Sequence, residues 1–405
     1  MSEPTHDGGG ERTREQEGTP AREGAPAGDR GGADEDAALR AATGALVYGF
    51  ALSRVTAAFV RLGIPDALAG TALPAGRLAR ATGTHEPSLR RLLRAAAALG
   101  LLTVRPGGRY ELTLLGELFR DDPRLRRLAE LYGEPAVWGA YGALEDAVRE
   151  GGSAFQHAHG TGLFAALEAD RPLAGRFTEA MGTVTAAQTA PVVSGFDFGG
   201  VGHLVDVGGG DGTLLAALLR AYPRMRGTLL ERPAALAAAP RVLRAAGVAD
   251  RCALVEGDFF AAVPAGAGGP ADACLLKNIL HNFGDDDCVR LLRACRAALR
   301  PGGRVLVPAP VLPEAGGGSG DGGGGGTRGE ADVALALSDV EMMVLTAGRE
   351  RTLGEYRALF ARAGLALPAG APAVLPGLPH HHMLEGRNED GYGTEEARDA
   401  AAVRR

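Results

Sequence analysis

The stretch that decides the fold is "HLVDVGGGDGT", residues 203–213, in which a short apolar run leads into a glycine-rich turn. Its D-x-G-x-G-x-G pattern extends from Asp206 to Gly212. Glycines at a strand end allow a tight turn and let a ligand approach the backbone closely. The dinucleotide pattern G-x-G-x-x-G is absent, because Thr213 stands where its last glycine would be. The acid before the turn suits a ligand with an amino group better than a pyrophosphate.

Short apolar runs continue to alternate with helical segments after this turn. The runs are "HLVDV", "GTLLE", "CALVEG", "DACLLK" and "RVLVPAPVL", and the segments between them include "LLAALLRAY" and "CVRLLRACRAAL". Such alternation predicts an α/β fold with a Rossmann-like, doubly wound and mainly parallel sheet. Ligands of these sheets bind at the carboxyl ends of the strands.

Acidic residues follow the second and third runs. "GTLLE" ends in Glu231, whose carboxylate can accept both hydroxyls of a ribose. "EGDFF" places Gly257, Asp258 and Phe259 at the same edge, where the Asp can accept from an adenine amino group and the Phe can cover the base. A glycine turn, a ribose acid and an adenine acid at successive strand ends together indicate a cofactor that contains adenosine.

The region before the sheet has a different pattern. "PAGRLARATGTHEPSLRRLLRAAAALGLL", residues 74–102, predicts helix, turn and helix, and "LTVRPGGRYELT", residues 102–113, predicts a hairpin. A helix-turn-helix followed by a hairpin is a winged helix. Residues 125–197 are mostly helical and carry the one tryptophan, Trp138.

One further stretch, "LLKNILHNF" at residues 275–283, holds the only lysine of the chain. Lysine is a compact point charge, whereas arginine is a wide planar fork. A crowded polar corner could accept Lys277 but not an arginine, and the alternative is that the isolated lysine arose by chance. His281 follows four residues later.

From about Ala41 to Gly386 the chain resembles the S-adenosylmethionine-dependent small-molecule O-methyltransferases of the plant and actinobacterial type. That family joins a winged-helix dimerisation domain to a Rossmann-like catalytic domain of the class I methyltransferase type. Composition and resemblance together predict a disordered tail at 1–36, a winged-helix dimerisation domain at 37–125, a helical linker and substrate-pocket region at 126–200, a catalytic domain at 201–386 with a flexible Gly-rich insertion at 314–330, and a disordered tail at 387–405.

The resemblance implies that the cofactor is S-adenosyl-L-methionine. It implies that the cofactor is bound by Asp206, Gly208, Gly210, Gly212, Glu231, Gly257, Asp258, Phe259 and Lys277.

The resemblance also makes His281 the general base, with Glu350 in "AGRERT" as a carboxylate that orients it. A second orienting carboxylate of the family corresponds to Ala309, and the acid that usually follows the base corresponds to Asn282. Both departures remove negative charge near His281.

A flat, apolar acceptor pocket is expected beside the base. Its candidate residues are Trp138, Phe155, Phe164, Phe177, Met181, Asn278, Asn282, Phe283, Met342 and Met343. The cluster His380–His382 lies on or beside a late strand, whose alternation turns neighbouring side chains to opposite faces, so we expect no metal site there.

The resemblance implies an O-methyltransferase that acts on a hydroxyl, typically phenolic, of an aromatic or polyketide-type molecule of secondary metabolism, as a homodimer. An alternative is a non-methylating relative that uses the cofactor for hydroxylation or a pericyclic step. A second alternative is a winged-helix DNA-binding regulator, which would use Arg90, Arg91 and Arg94.

Composition speaks against several other classes. The net charge of −6 gives no general reason to bind nucleic acid or an anionic membrane. The four cysteines lack C-x-x-C spacing, and three of them lie in apolar segments, so they are expected to be reduced. The polar N-terminus contains no apolar signal segment, and we expect a cytoplasmic protein.

Overall fold

The computed structural model describes residues 30–265, 269–314 and 329–389. The chain divides into two compact units, Met1–Leu52 and Ser53–Arg405. Helix α1, Arg30–Arg61, contains the described part of the first unit and extends into the second. Within it, Asp36–Arg61 has the length and the apolar composition to cross a membrane, with a mean hydropathy of 1.3.

The predicted winged helix is present in the second unit. Its helices are α2 Ile64–Ala67, α3 Ala75–Thr82, α4 Glu86–Ala98 and α5 Leu114–Asp121, and its antiparallel sheet consists of β1 Leu73–Pro74, β2 Leu102–Arg105 and β3 Arg109–Leu112. Gly107 and Gly108 make the hairpin turn with φ of 77° and 66°, a conformation that glycine adopts without strain.

A helical region follows, as the sequence predicts. It consists of α6 Pro123–Tyr132, α7 Pro135–Gly142, α8 Leu144–Glu150, α9 Ala154–His159, α10 Leu163–Ala169 and the long α11 Arg171–Gly195. Asp122 and Asp170 cap the N-termini of α6 and α11 through their side chains.

The remainder forms the predicted α/β sheet. Its strands are β4 His203–Val207, β5 Arg226–Glu231, β6 Cys252–Glu256, β7 Ala271–Leu275, β8 Leu299–Leu312, β9 Arg351–Thr352, β10 Ala373–Val374 and β11 His381–Arg387. Its helices are α12 Thr213–Ala221, α13 Pro233–Leu236, α14 Ala239–Ala245, α15 Asp285–Ala298, α16 Glu330–Leu345 and α17 Leu353–Arg362.

The strand order is β10-β11-β8-β7-β4-β5-β6, and β9 pairs with the end of β8. The pairs among β4 to β8 are parallel, whereas β11 is antiparallel to β8. The carboxyl ends of β4, β5, β6 and β7 therefore lie along one edge, which is where the sequence places its acids, its glycine turn and its lysine.

Alternate strand residues face two separate cores. Leu204 and Leu229 pack on one side with α11, α12 and α14, whereas Val205 and Leu230 pack on the other with α15 and α17. Period-two alternation explains this division. Burial on both faces makes the sheet a rigid base for the residues at its edge.

Three expected boundaries differ from the structure. Helix α1 already begins at Arg30, inside the expected tail 1–36, and β11 includes Arg387, the first residue of the expected C-terminal tail. Main-chain pairing, which composition does not reveal, decides these limits; the amide of Asn388, for example, donates to Gly303 O at 2.9 Å. Of the expected insertion, Glu330 belongs to α16, while residues 315–328 lie outside the described part of the chain.

Candidate active site

The turn after β4 requires glycine for its backbone conformation and for close packing. Gly208, Gly210 and Gly212 have φ of 70°, 62° and 77°, in the left-handed region that other residues rarely adopt. A Cβ on Gly208 would lie 2.6 Å from Cδ1 of Ile279. The Gly208 amide donates to Leu230 O at 2.8 Å, which joins the turn to β5. The turn is thus held against the sheet, with no room for a side chain at Gly208 and open space beside Gly210.

Asp206, near the end of β4, is buried with one carboxylate oxygen unpaired. The residue is 1% exposed, and among the described residues its Oδ2 has no hydrogen-bond partner. Burial, and to a lesser extent the nearby Glu231, raises its pKa to about 7, although the positive charge of Lys277 acts in the opposite direction. A buried, unpaired carboxylate oxygen is costly, so this atom is suited to a cationic or N–H-bearing ligand.

Lys277 follows β7, the neighbour of β4, and its side chain turns toward α11. Its Nζ donates to Oγ1 of Thr185 at 3.1 Å. Burial lowers the pKa of Lys277 to about 8, and Asp206 opposes this shift. A small ammonium therefore occupies the space between the sheet edge and α11, as the isolated lysine in the sequence suggests.

Glu231, at the end of β5, supports the glycine turn. Its Oε2 accepts from the Gly210 amide at 2.9 Å, and its Oε1 accepts from the Arg232 amide at 2.7 Å. Burial raises its pKa, and these two hydrogen bonds act in the opposite direction. The Gly257 amide donates to Glu231 O at 3.1 Å, so the ends of β5 and β6 are joined.

Beyond β6, Asp258 is exposed and Phe259 is buried. Oδ1 of Asp258 accepts from the Phe260 amide at 2.8 Å, which fixes the turn. The structure thus brings all nine residues of the expected cofactor set to one sheet edge.

His281 lies in a 3₁₀ turn, Leu280–Asn282, and contacts Glu350. Its Nδ1 is 3.0 Å from Oε1 of Glu350, and the two side chains are 13% and 0% exposed. The same Oε1 accepts from Oγ of Ser338 at 2.9 Å, and the Glu350 amide donates to Oδ1 of Asp339 at 2.8 Å. Because the carboxylate can only accept, Nδ1 carries the proton of the neutral imidazole and Nε2 keeps its lone pair.

Arg351 anchors the turn that carries His281. The residue is fully buried, and its guanidinium donates to Leu280 O at 3.1 Å, to Phe283 O at 2.7 Å and to Oδ1 of Asp285 at 2.8 Å and 3.0 Å. Gly348 packs on the same turn, since a Cβ there would lie 1.9 Å from His281 O. Gly348 and Arg351, two residues before and one after Glu350, thus fix the backbone of its imidazole partner.

The structure accounts for one of the two departures from the family pattern. Nδ2 of Asn282 donates to Asn278 O at 2.9 Å and to Ile279 O at 3.3 Å, which closes the turn. The amide of Asn282 is therefore directed to its own backbone instead of a pocket. Asn278 adopts a φ of 55°, and its Nδ2 contacts Oε1 of Gln188 at 3.4 Å. Ala309 is 4% exposed within the core on the α15 side of the sheet.

The aromatic candidates for the acceptor pocket divide into separate groups. Phe164 stacks on Phe283 with ring centroids 6.1 Å apart, and Phe283 also contacts Phe259 at 5.9 Å. Trp138 lies under the guanidinium of Arg54 at 4.7 Å.

The other candidates lie in the helical region before the sheet or, for Met342 and Met343, in α16. Phe177, Met181 and Met343 pack, partly buried, on one apolar cluster that joins the helical region to α16. Phe155 is 1% exposed and packs on His159, so the structure places it in the core. Met342 is also buried, at 9% exposure.

The sequence analysis did not predict several residues near His281 and Lys277, and it considered His381 only as a metal ligand. They are Tyr132, Thr185, Gln188, Ser338, Asp339, Glu341 and His381. Burial lowers the pKa of His381 to about 4, and its Nε2 lies 3.3 Å from Nε2 of Gln188. These residues come from α6, α11, α16 and β11, and their proximity depends on tertiary packing that local patterns do not report.

The three histidines at 380–382 point to different partners. Nε2 of His380 lies 3.2 Å from Oδ1 of Asp332, whereas Nδ1 of His382 lies 3.2 Å from His380 O. Within the described ranges, no group of three or more His, Cys, Asp or Glu is arranged to hold a metal ion.

Comparison with known families agrees with this geometry. A family model for an O-methyltransferase domain matches residues 141–366, and one for an O-methyltransferase dimerisation domain matches residues 45–122. The chain belongs to the S-adenosylmethionine-dependent O-methyltransferase family. Its class I fold and its S-adenosylmethionine cofactor are those of the family.

Individual O-methyltransferases are similar along most of the chain. The mitomycin biosynthesis 6-O-methyltransferase of Streptomyces lavendulae is 35% identical over 78% of this chain and 87% of its own. The structure of the mitomycin 7-O-methyltransferase MmcR has a TM-score of 0.78 at 33% identity, covering 88% of this chain and 99% of its own. The O-methyltransferase NcsB1 from neocarzinostatin biosynthesis was solved with S-adenosylmethionine and 2-hydroxy-5-methyl naphthoic acid. Its structure has a TM-score of 0.70 at 31% identity, covering 83% of this chain and 95% of its own.

The sheet edge of this O-methyltransferase fits the cofactor of its family. The unpaired Oδ2 of Asp206 is an acceptor for a cationic group, and Gly208 and Gly210 keep side chains away from the turn. Glu231 and Asp258 supply carboxylates at the next two strand ends.

Proposed function

We propose that this enzyme methylates a phenolic hydroxyl of an aromatic small molecule with His281 as general base. The observation that carries the proposal is the 3.0 Å contact between His281 Nδ1 and Glu350 Oε1, beside the sheet edge that fits the cofactor. Bound at that edge by Asp206, Glu231, Asp258 and the glycine turn, S-adenosylmethionine supplies an electrophilic methyl group.

The work of the protein is to make the acceptor oxygen nucleophilic and to position it. A neutral phenol is a weak nucleophile, so its proton must leave as the oxygen–carbon bond forms. Nε2 of His281 takes this proton, and Glu350 stabilises the resulting imidazolium through Nδ1–H. Arg351 and Gly348 hold the imidazole in place through the main chain of its turn, which preserves the alignment that transfer requires.

An apolar acceptor is supported by the rings of Phe283, two residues after His281, and Phe164, which stacks on it. Phe177, Met181 and Met343 pack on the neighbouring helical cluster and carry no charge. Of the relatives named above, one is an O-methyltransferase of mitomycin biosynthesis and another was solved with a naphthoic acid bound, which is consistent with an aromatic acceptor.

We further propose that the enzyme is a homodimer through its N-terminal part. The dimerisation-domain match over 45–122 supports this, and apolar side chains of α1 such as Leu46 and Phe50 are exposed. A dimer partner is a better explanation than a membrane for the apolar helix at Asp36–Arg61, because that helix overlaps the dimerisation-domain match.

The proposal is tested by incubating the enzyme with S-adenosylmethionine and a panel of phenols, each paired with its own methyl ether as control. S-adenosylhomocysteine should be released, and one methyl gained, only with the free hydroxyl. Consumption of a probe without any methyl gain would favour the non-methylating alternative, for which the loss of the acid at Ala309 is the relevant observation.

A further inference from the structure

Glu341 is a carboxylate beside the base to which the proposed chemistry assigns no role. It lies in α16 one turn after Ser338, whose Oγ contacts Glu350 at 2.9 Å. Residues three apart on a helix share a face, with Cβ atoms about 5–6 Å apart. Glu341 therefore lies on the face of α16 that meets the His281–Glu350 pair.

The partners of Glu341 do not neutralise it. Tyr132 Oη donates to Glu341 Oε1 at 2.6 Å, and no other hydrogen bond reaches this carboxylate within the described part of the chain. No Arg, Lys or His of the described residues forms an ion pair with it. Burial raises the pKa of Glu341, while the hydrogen bond from Tyr132 and the imidazole of His281 act in the opposite direction.

A largely buried carboxylate without a cationic partner is costly unless a ligand supplies one. Val340 and Met343, its neighbours along α16, pack on the helical cluster with Phe177, whereas the phenol of Tyr132 is the group that contacts the carboxylate. Oε2 of Glu341 has no hydrogen-bond partner among the described residues, and it is not fully buried. This oxygen therefore borders accessible space.

We propose that Glu341 selects acceptors that carry an ammonium group on the aromatic ring or on a short side chain. The phenolic oxygen is directed to Nε2 of His281, and the ammonium donates to Oε2 of Glu341. Tyr132 holds the carboxylate in position through Oε1. This inference rests on the proposed function for the orientation of the acceptor and adds the chemical class of its second group.

Binding of three catechol probes, measured by calorimetry with S-adenosylhomocysteine present, tests this proposal without methyl transfer. Dopamine carries an ammonium, ethylcatechol is neutral, and hydrocaffeate is anionic. The wild-type enzyme should bind dopamine about tenfold to hundredfold more tightly than ethylcatechol, as expected for a charge-assisted hydrogen bond, and hydrocaffeate most weakly. Glu341→Gln should lose this ranking, while the surface variant Glu145→Gln should keep it.

Tyr132→Phe separates recognition from a structural role of the carboxylate. This variant removes the hydroxyl that contacts Glu341 but leaves the charge, so the preference for dopamine should persist. The proposal is overturned if the wild type and Glu341→Gln rank the three probes equally. It is also overturned if Tyr132→Phe loses the preference for dopamine while Glu341→Gln keeps it. Failure of the proposed function would give a different result: the wild type would still rank the three probes as expected, but no methylated product would form.

Discussion

Nδ1 of His281 lies 3.0 Å from Oε1 of Glu350, and this contact joins two turns that are 69 residues apart in the chain. The residue after Glu350, Arg351, donates to the carbonyls of Leu280 and Phe283 on either side of the imidazole. Orientation of the side chain and position of its backbone are therefore set by two consecutive residues. The short strand β9, which begins at Arg351, pairs with the end of β8 and so joins these residues to the sheet.

Replacing Glu350 by glutamine should lower the methylation rate while cofactor affinity stays unchanged. The side-chain amide of Glu350→Gln would keep a hydrogen-bond acceptor but lack the negative charge that stabilises the imidazolium. We expect kcat to fall about tenfold to hundredfold, which is less than the roughly 10²–10⁴ that loss of the general base itself would cost. Steady-state kinetics measures the rate and calorimetry the affinity. The variant Glu145→Gln, on the exposed face of α8, is the control; an equal loss of rate there would contradict the assignment.

Arg351→Met should destabilise the fold. The change leaves two carbonyls without their donor in the interior, and we expect a loss of about 2–4 kcal/mol in the free energy of unfolding. Urea unfolding at neutral pH measures it. Arg362→Met removes an exposed pair with Asp286 and should cost less than about 0.5 kcal/mol. Similar losses for the two variants would show that the buried guanidinium is not an anchor.

Gly348→Ala should displace the turn that carries His281. Its new Cβ would lie 1.9 Å from the His281 carbonyl oxygen, a main-chain atom that cannot move alone. We expect a loss of stability together with a loss of methylation rate. Thermal unfolding measures the first and steady-state kinetics the second. Gly284→Ala is the matched control, because no atom lies within 4 Å of a Cβ at that position. A fully active Gly348→Ala enzyme would argue against the rigid turn.

Affinity for S-adenosylmethionine should fall as the pH is lowered through about 7. Burial raises the pKa of Asp206 from 3.8 to about 7 in the free protein, so below that pH the carboxyl holds a proton. A cationic ligand favours the ionised form, and binding must then release this proton, which weakens affinity by about 1.4 kcal/mol for each pH unit below the pKa.

Calorimetry between roughly pH 5.5 and 8 brackets the shifted pKa of Asp206 and measures this dependence. Asp206→Asn should bind more weakly at neutral pH and show a flat profile. A wild-type affinity that is independent of pH over that interval would contradict the ligand role of Asp206.

In the free protein the raised pKa of Asp206 affects folding stability in the opposite direction from ligand affinity. Between pH 3.8 and about 7 the folded state holds a proton that the unfolded chain has released. The contribution of Asp206 to folding stability should therefore decrease as the pH rises through that window.

Much of the fold and of the cofactor edge is readable from the sequence, because the decisive signals are local. The β4 turn follows from glycine spacing, and Glu231 and Asp258 follow from strand ends that a parallel sheet must align. Thr185 and Glu341 were missed, since only packing of α11 and α16 brings them to the site. Phe155 looked like a pocket residue because aromatic character does not distinguish a core position from a lining one.

The central claim, that His281 removes the acceptor proton, is tested most directly by single-turnover methylation of a phenol with the wild type and His281→Gln. The account predicts that the variant is slower by roughly 10²–10⁴ and that its affinity for S-adenosylmethionine, measured on the same preparation, is unchanged. A variant that methylates the phenol at the wild-type rate would contradict it.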